Sequence, residues 1–229
     1  MVSIVTCTIR DHLIDNVFRN FKQQLIKEKE LIIVLNKDEM DLKKWKERGK
    51  KFKNVHVFKL PETVTSGEAH NFGAHKAKYD IVAKFDDDDY YSPYYLKGQI
   101  DILQKKDTDI IGKRDCYYYL EREKKLIKTP FKMENQYVDR VMGSSLIFKK
   151  QILNTIEFPK LNKDIDSIFQ KECRKHGYKI YSTDRENYVC VRRANKNSHT
   201  WKIKDSQLKN FCILVGKMDD YTSYVTKPV

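Results

Sequence analysis

The chain of 229 residues contains no run of about 18 apolar residues, so no membrane-spanning helix is expected. Its opening, MVSIVTCTIR, lacks the basic stretch and long apolar core of a secretion signal and reads instead as a buried first strand. The five cysteines are odd in number and none has C-x-x-C spacing. A disulfide framework or a zinc knuckle is therefore not expected, and a reducing, cytoplasmic setting fits. Cys7, Cys116, Cys173, Cys190 and Cys212 read as small buried hydrophobes. Glycine is scarce, at 8 residues, and neither an internal repeat nor a low-complexity linker interrupts the chain, so residues 1–229 are expected to form one domain.

Positive charge is plentiful. Lys and Arg number 45 against 32 Asp and Glu, a formal net charge of +13. Such a chain attracts anions: nucleic acid, lipid headgroups, an acidic polymer or a nucleoside diphosphate. Charge alone does not choose among them. Hydrophobic residues at 40% suffice for a core, while 34% charged residues and 14 tyrosines point to a wet surface rather than disorder.

Periodicity sets the fold class. Residues 2–8 read as a strand, and Leu13, Val17, Phe18, Phe21 and Leu25 follow at helical spacing over about 12–28. A strand at 30–35, a basic helix at about 39–51 with Leu42 and Trp45 inward, and a strand at 55–58 come next. A polar loop leads to a helix at about 68–78 and then to the strand Asp80–Phe85. This β-α alternation predicts an α/β fold with a mostly parallel sheet and helices on both faces. Beyond it, a helix at 93–105, a strand at 108–112, a hairpin over 114–128, a strand at 142–148 and a helix from Asp164 to Gly177 are expected. Strands at 178–181 and 188–191 follow. The tail, 202–229, shows a short helix around Leu208, Phe211 and Leu214.

The strand ending at Phe85 runs straight into Asp86, Asp87, Asp88 and Asp89. Four adjacent carboxylates repel one another unless solvated or neutralised. A hard divalent cation, Mg²⁺ or Mn²⁺, neutralises them efficiently, and ligands of open α/β sheets sit beyond the carboxyl ends of strands. The alternative is a solvated acidic turn whose last residue caps the next helix, for which Ser92 and Pro93 also read as N-cap and first helical residue.

Five segments in order resemble the nucleotide-sugar-dependent glycosyltransferases of GT-A fold, the inverting family often called family two: Ser3–Thr8, Ile32–Asn36, Gly67–Gly73, Ile81–Asp89 and Gly143–Phe148. The resemblance covers about residues 1–200. It implies a GT-A, Rossmann-like sheet with a nucleotide-binding half (1–90), an acceptor-side half (91–201) carrying a small antiparallel sheet, and a C-terminal tail. It implies transfer of a sugar, from a uridine diphosphate sugar in the first instance, to a hydroxyl of a glycan, cell-surface polymer or protein. Asp86 and Asp87 would face the nucleotide-sugar and Asp88 would bind Mn²⁺ or Mg²⁺, with His199 late in the chain completing the metal's protein ligands. Thr8, Arg10 and Asn36 would serve the base, Asn71 the pyrophosphate or ribose, and Arg192, with Arg193 beside it, the phosphates. Direct displacement needs one general base, and the family's position falls on Asp166, with Asp164 as second candidate. The segments depart from the family pattern where Cys7–Arg10 replaces Pro-Thr-Tyr-Asn and where His70 replaces an arginine.

Two rival readings remain open on sequence. One is a basic nucleic-acid-binding domain, against which the acidic run argues because it would repel phosphate unless a metal is bound. The other is a transferase-like fold that binds without turnover. The lysine surplus also fits peripheral contact with an anionic polymer or the inner face of a membrane.

Overall fold

The structure is a computed structural model, and it describes residues 1–195 and 203–229. In chain order the first half comprises β1 (Val2–Thr8), α1 (Ile14–Gln23), β2 (Lys29–Leu35), α2 (Leu42–Gly49), β3 (Val55–Lys59), α3 (Ser66–Lys76) and β4 (Ile81–Lys84). The second half comprises β5 (Tyr90–Tyr91), α4 (Tyr95–Lys105), β6 (Ile110–Gly112), β7 (Tyr117–Leu120), β8 (Lys125–Lys128), β9 (Gln136–Tyr137), β10 (Ile147–Lys149), α5 (Ile165–Lys175), β11 (Ile180–Ser182) and β12 (Tyr188–Arg192). The tail adds α6 (Asp205–Phe211), β13 (Ile213–Lys217) and α7 (Thr222–Val225).

The larger sheet has the order β3-β2-β1-β4-β10-β6-β11-β9. It is parallel except at β10 and at the edge strand β9. Side chains alternate between its faces as the pleat requires. Ile4, Leu31, Ile33 and Leu35 join one core with Phe18 and Phe21 of α1, Trp45 of α2 and Leu96 and Ile100 of α4. Val5, Ile32, Val34 and Val82 join a second core with Ala69 and Ala74 of α3 and Phe169 of α5. Helices therefore cover both faces. The smaller sheet, β13-β8-β7-β12-β5, is mostly antiparallel, and its Tyr118, Leu120 and Tyr188 pack into the first core. Among the described residues no helix is long and apolar enough to cross a membrane.

Several sequence boundaries move. The helix expected to reach residue 28 stops at Gln23, and Leu25 is exposed, because Gln24 turns extended and its amide binds Tyr91 and Ser92 carbonyls. Ser92 does not start a helix directly. Its Oγ accepts from Tyr94 N, and α4 begins at Tyr95. The strand expected from Met142 is a 3₁₀ turn at Gly143–Ser145 before β10. Leu214, read as helical, lies in β13, which pairs antiparallel with β8. Helix α3 starts at Ser66 behind a Thr65–Glu68 capping box, and α5 ends before Gly177, whose φ of 85° is the left-handed conformation glycine accepts most easily.

Candidate active site

Strands β1 and β4 are adjacent and parallel, so Thr8 and Asp86 leave the same rim of the sheet. The aspartate turn that follows β4 is held by its backbone from below. Asn16, Asn20 and Gln24 recur every fourth residue of the α1 segment and are all buried. Asn16 Nδ2 donates to the carbonyls of Asp87 at 2.7 Å and Asp89 at 3.0 Å. Asn20 Nδ2 donates to the Asp89 carbonyl at 2.9 Å. In the sequence their signal is the i, i+4, i+8 spacing of amides on an amphipathic helix. From the far side, Tyr91 Oη accepts from Asp86 N at 2.8 Å and donates to the Ser144 carbonyl at 2.6 Å.

Each carboxylate has its own surroundings. Asp86 is the most open, with its side chain 37% exposed, and its Oδ1 accepts from Lys84 Nζ at 2.6 Å. Asp87 is buried and accepts from the Thr8 hydroxyl and from the Arg10 guanidinium. Burial pushes its carboxyl up to about 6 against the pull of Arg10. Asp88 Oδ2 accepts from Arg10 Nη1 at 2.9 Å, and its carbonyl accepts from Arg193 Nη2, also at 2.9 Å. Burial alone would lower the Arg10 guanidinium, but Asp87 and Asp88 outweigh it and the net shift is upward. Asp89, the last of the acidic run and a candidate helix cap, instead accepts from Tyr188 Oη at 2.6 Å and Val191 N at 3.0 Å. It fastens the turn to β12, and burial raises it to about 8.

Across the rim stands Asp166, in the first turn of α5. Its Oδ2 lies 3.5 Å from Lys84 Nζ, and its Oδ1 is shielded from solvent with no hydrogen-bond partner among the described residues. Asp164 is exposed and adopts φ 57° at the N-cap, without a side-chain cap bond. The structure therefore brings Asp166, not Asp164, to the aspartate turn. Lys84, unremarked in the sequence, links them.

Other expected residues sit at varied distances from this rim. Thr8 and Arg10 reach it through Asp87. Asn36 Nδ2 donates to the carbonyls of Pro61 and Val64 and so ties the loop before α3. Asn71 is not at a helix start. It lies inside α3, and its amide exchanges two hydrogen bonds with the backbone of Phe158, at 2.9 and 2.8 Å. Arg192 donates to Ile203 O at 2.7 Å and faces Asp205, so it binds the tail, while Arg193 reaches the aspartate turn. His199 and Trp201 lie outside the described residues. Buried His70 donates from Nδ1 to Ser66 O at 2.7 Å, and burial together with Lys84 lowers its imidazole. His12, His56, His75 and His176 are exposed. Tyr91 and Tyr95 are packing residues, stacked on or set edge-on to Phe85. Among the described residues no group of three or more His, Cys, Asp or Glu converges as a complete metal cage.

The sequence matches the family model described as "Glycosyl transferase family 2" over residues 3–159, more than half of the chain. The chain belongs to glycosyltransferase family 2. Solved structures support the same fold. S. aureus TarS 1–349 in complex with UDP-GlcNAc is 17% identical, with a TM-score of 0.70, covering 92% of this chain and 64% of that one. The same protein in complex with UDP is 18% identical, with a TM-score of 0.66 and 83% and 60% coverage. The mannosyltransferase PcManGT from Pyrobaculum calidifontis, in complex with GDP-Man and Mn²⁺, is 18% identical, with a TM-score of 0.64 and 90% and 61% coverage. At these identities the likeness is one of fold, the GT-A type with its large mostly parallel sheet and smaller antiparallel-rich sheet. The family 2 chain spans about three fifths of the length of these TarS and mannosyltransferase chains. Among curated proteins, none matches the sequence.

Proposed function

We propose that the chain, working as one unit over 1–229, transfers a sugar from a nucleoside-diphosphate sugar to an acceptor hydroxyl with inversion. The observation that carries this is the opposition of two acidic sets at one rim: the Asp86–Asp88 turn, and Asp166, whose Oδ2 faces Lys84 and whose Oδ1 has no hydrogen-bond partner among the described residues. An inverting displacement asks for that pair of sides, one for the leaving diphosphate and one for the incoming hydroxyl. The two TarS complexes favour a uridine diphosphate donor, and the GDP-Man complex supports the broader class.

A divalent cation, Mn²⁺ or Mg²⁺, fits the donor side. Asp88 offers hard oxygens and already holds a positive group, the Arg10 guanidinium. One carboxylate, with the donor's phosphate oxygens and waters, is a common way to hold such ions. Bound there, the cation would offset charge gathering on the departing diphosphate. Arg10 and Arg193 stand beside it and would pair with phosphate oxygens. On the acceptor side, the Asp166 carboxylate would take the hydroxyl proton as the bond to the sugar forms. The acceptor is a glycan, a cell-surface polymer or a protein, and the net charge of +13 favours one that is anionic or presented at an anionic surface on the cytoplasmic side.

The test is UDP release from UDP-GlcNAc, and guanosine diphosphate release from GDP-mannose, with Mn²⁺. Asp166→Asn should lower the rate about 100-fold or more while UDP binding persists. An Asp166→Asn protein as active as the unaltered chain contradicts the assignment.

A further inference from the structure

Lys84 is a cation in an unusual place. It ends β4, whose other residues are Ile81, Val82 and Ala83, and its side chain is only 6% exposed. An ammonium that buried requires compensation. It has two carboxylates: Asp86 Oδ1 at 2.6 Å and Asp166 Oδ2 at 3.5 Å. The other titratable groups facing it are Cys7 from β1 and His70 from α3. Burial pushes the Cys7 thiol up and the His70 imidazole down, so both are neutral neighbours. Lys84 itself stays charged, because Asp166 and Asp86 outweigh its burial.

Gly143 forms the other wall. A Cβ at that position would lie 2.1 Å from Asp166 Oδ2 and 2.4 Å from its Cγ. Those are impossible contacts, so a glycine is what lets the carboxylate rest against this turn. The turn is in place because Tyr91, the same residue that holds Asp86 N, also binds Ser144 O.

We propose that Lys84 and Gly143 are positioning residues for Asp166. Lys84 pairs with Oδ2 and ties it to donor-side Asp86, and Gly143 admits the carboxylate to that position beside the donor. This rests on the reading of Asp166 as the base. The arrangement couples the two sides of the site through one ammonium group, so the distance between donor and base is a property of β4 and the Gly143 turn.

Two experiments on the full chain test it. In the first, Lys84→Met, Gly143→Ala and Asp166→Asn are compared in Mn²⁺-dependent UDP release from UDP-GlcNAc between about pH 5 and about pH 9. Lys84→Met should lower kcat at least about tenfold and change KM less than about threefold, because the base is no longer held in place. Gly143→Ala should lower kcat comparably, since the added Cβ displaces the same oxygen that Lys84 holds. A Lys84→Met protein whose loss lies in KM rather than kcat, or a Gly143→Ala protein with kcat within about twofold, overturns the proposal. Full activity in Asp166→Asn instead sinks the base assignment on which it stands. The second experiment needs no donor. Lys84→Met should melt several degrees lower than the unaltered chain, and adding Asp166→Asn should recover part of that loss, since one unpaired carboxylate is removed. Strictly additive losses would show that the two groups are not coupled and would overturn the proposal as well.

Discussion

The hydroxyl of Tyr91 reaches the backbone N–H of Asp86 at 2.8 Å, so the first aspartate of the turn is positioned by a core aromatic. The ring lies stacked on Phe85 at 3.8 Å, and the hydroxyl also donates to Ser144 O. Tyr91→Phe keeps the stacking and leaves two backbone groups, the buried Ser144 carbonyl and the part-buried Asp86 N–H, without this partner. The expected cost is about 1–3 kcal/mol in urea unfolding, with weaker UDP binding. A variant within about 0.5 kcal/mol of the unaltered chain would show that the hydroxyl does not hold the turn.

Two glycines separate steric from conformational demands. At Gly67 a Cβ would lie 1.8 Å from the Pro159 carbonyl oxygen, a backbone atom that cannot step aside alone. Gly67→Ala should cost about 3 kcal/mol. At Gly177 nothing lies within 4 Å, and only φ of 85° opposes a side chain. Gly177→Ala should cost about 1 kcal/mol. Urea unfolding of both variants checks the order, and equal losses would contradict it.

Stability should fall as pH rises. Asp89 moves from 3.8 in an open chain to about 8 when folded, and Asp87 from 3.8 to about 6, both chiefly by burial. A carboxyl raised on folding binds its proton more tightly in the native state. Its contribution is therefore present at low pH and is lost between about pH 4 and about pH 8. Melting temperatures of the metal-free, nucleotide-free protein should decline across that window, and Asp89→Asn should flatten the decline. A curve that rises through the same window would contradict the buried placement of these acids.

Much of the fold could be read before the structure because its signals are local. The β-branched runs of Val2–Thr8 and Leu31–Leu35 read as strands, and Gly177 closes α5 in the left-handed conformation. The misreadings share a different cause, which is tertiary partners. Asp89 resembled a cap by its place before Ser92, but its carboxylate is claimed by Tyr188 and Val191, about a hundred residues away. Ile213 and Leu214 carry no period that separates strand from helix, and pairing with β8 decides it. Asn71, expected at the pyrophosphate or ribose, has its amide engaged by the Phe158 backbone, which no local pattern announces. Lys84 was silent because one lysine in an apolar run resembles a side chain reaching for solvent. Its role is visible only once Asp166, 82 positions later, is placed beside it.

The central claim is that the turn at Asp86–Asp88 receives a donor's diphosphate together with a divalent cation. Calorimetric titration of UDP into the unaltered chain and into Asp88→Asn, each with and without Mn²⁺, tests it most directly. Mn²⁺ should tighten UDP binding by about tenfold or more in the unaltered chain and leave the variant unchanged. Binding of UDP that ignores both the cation and the substitution would contradict the account.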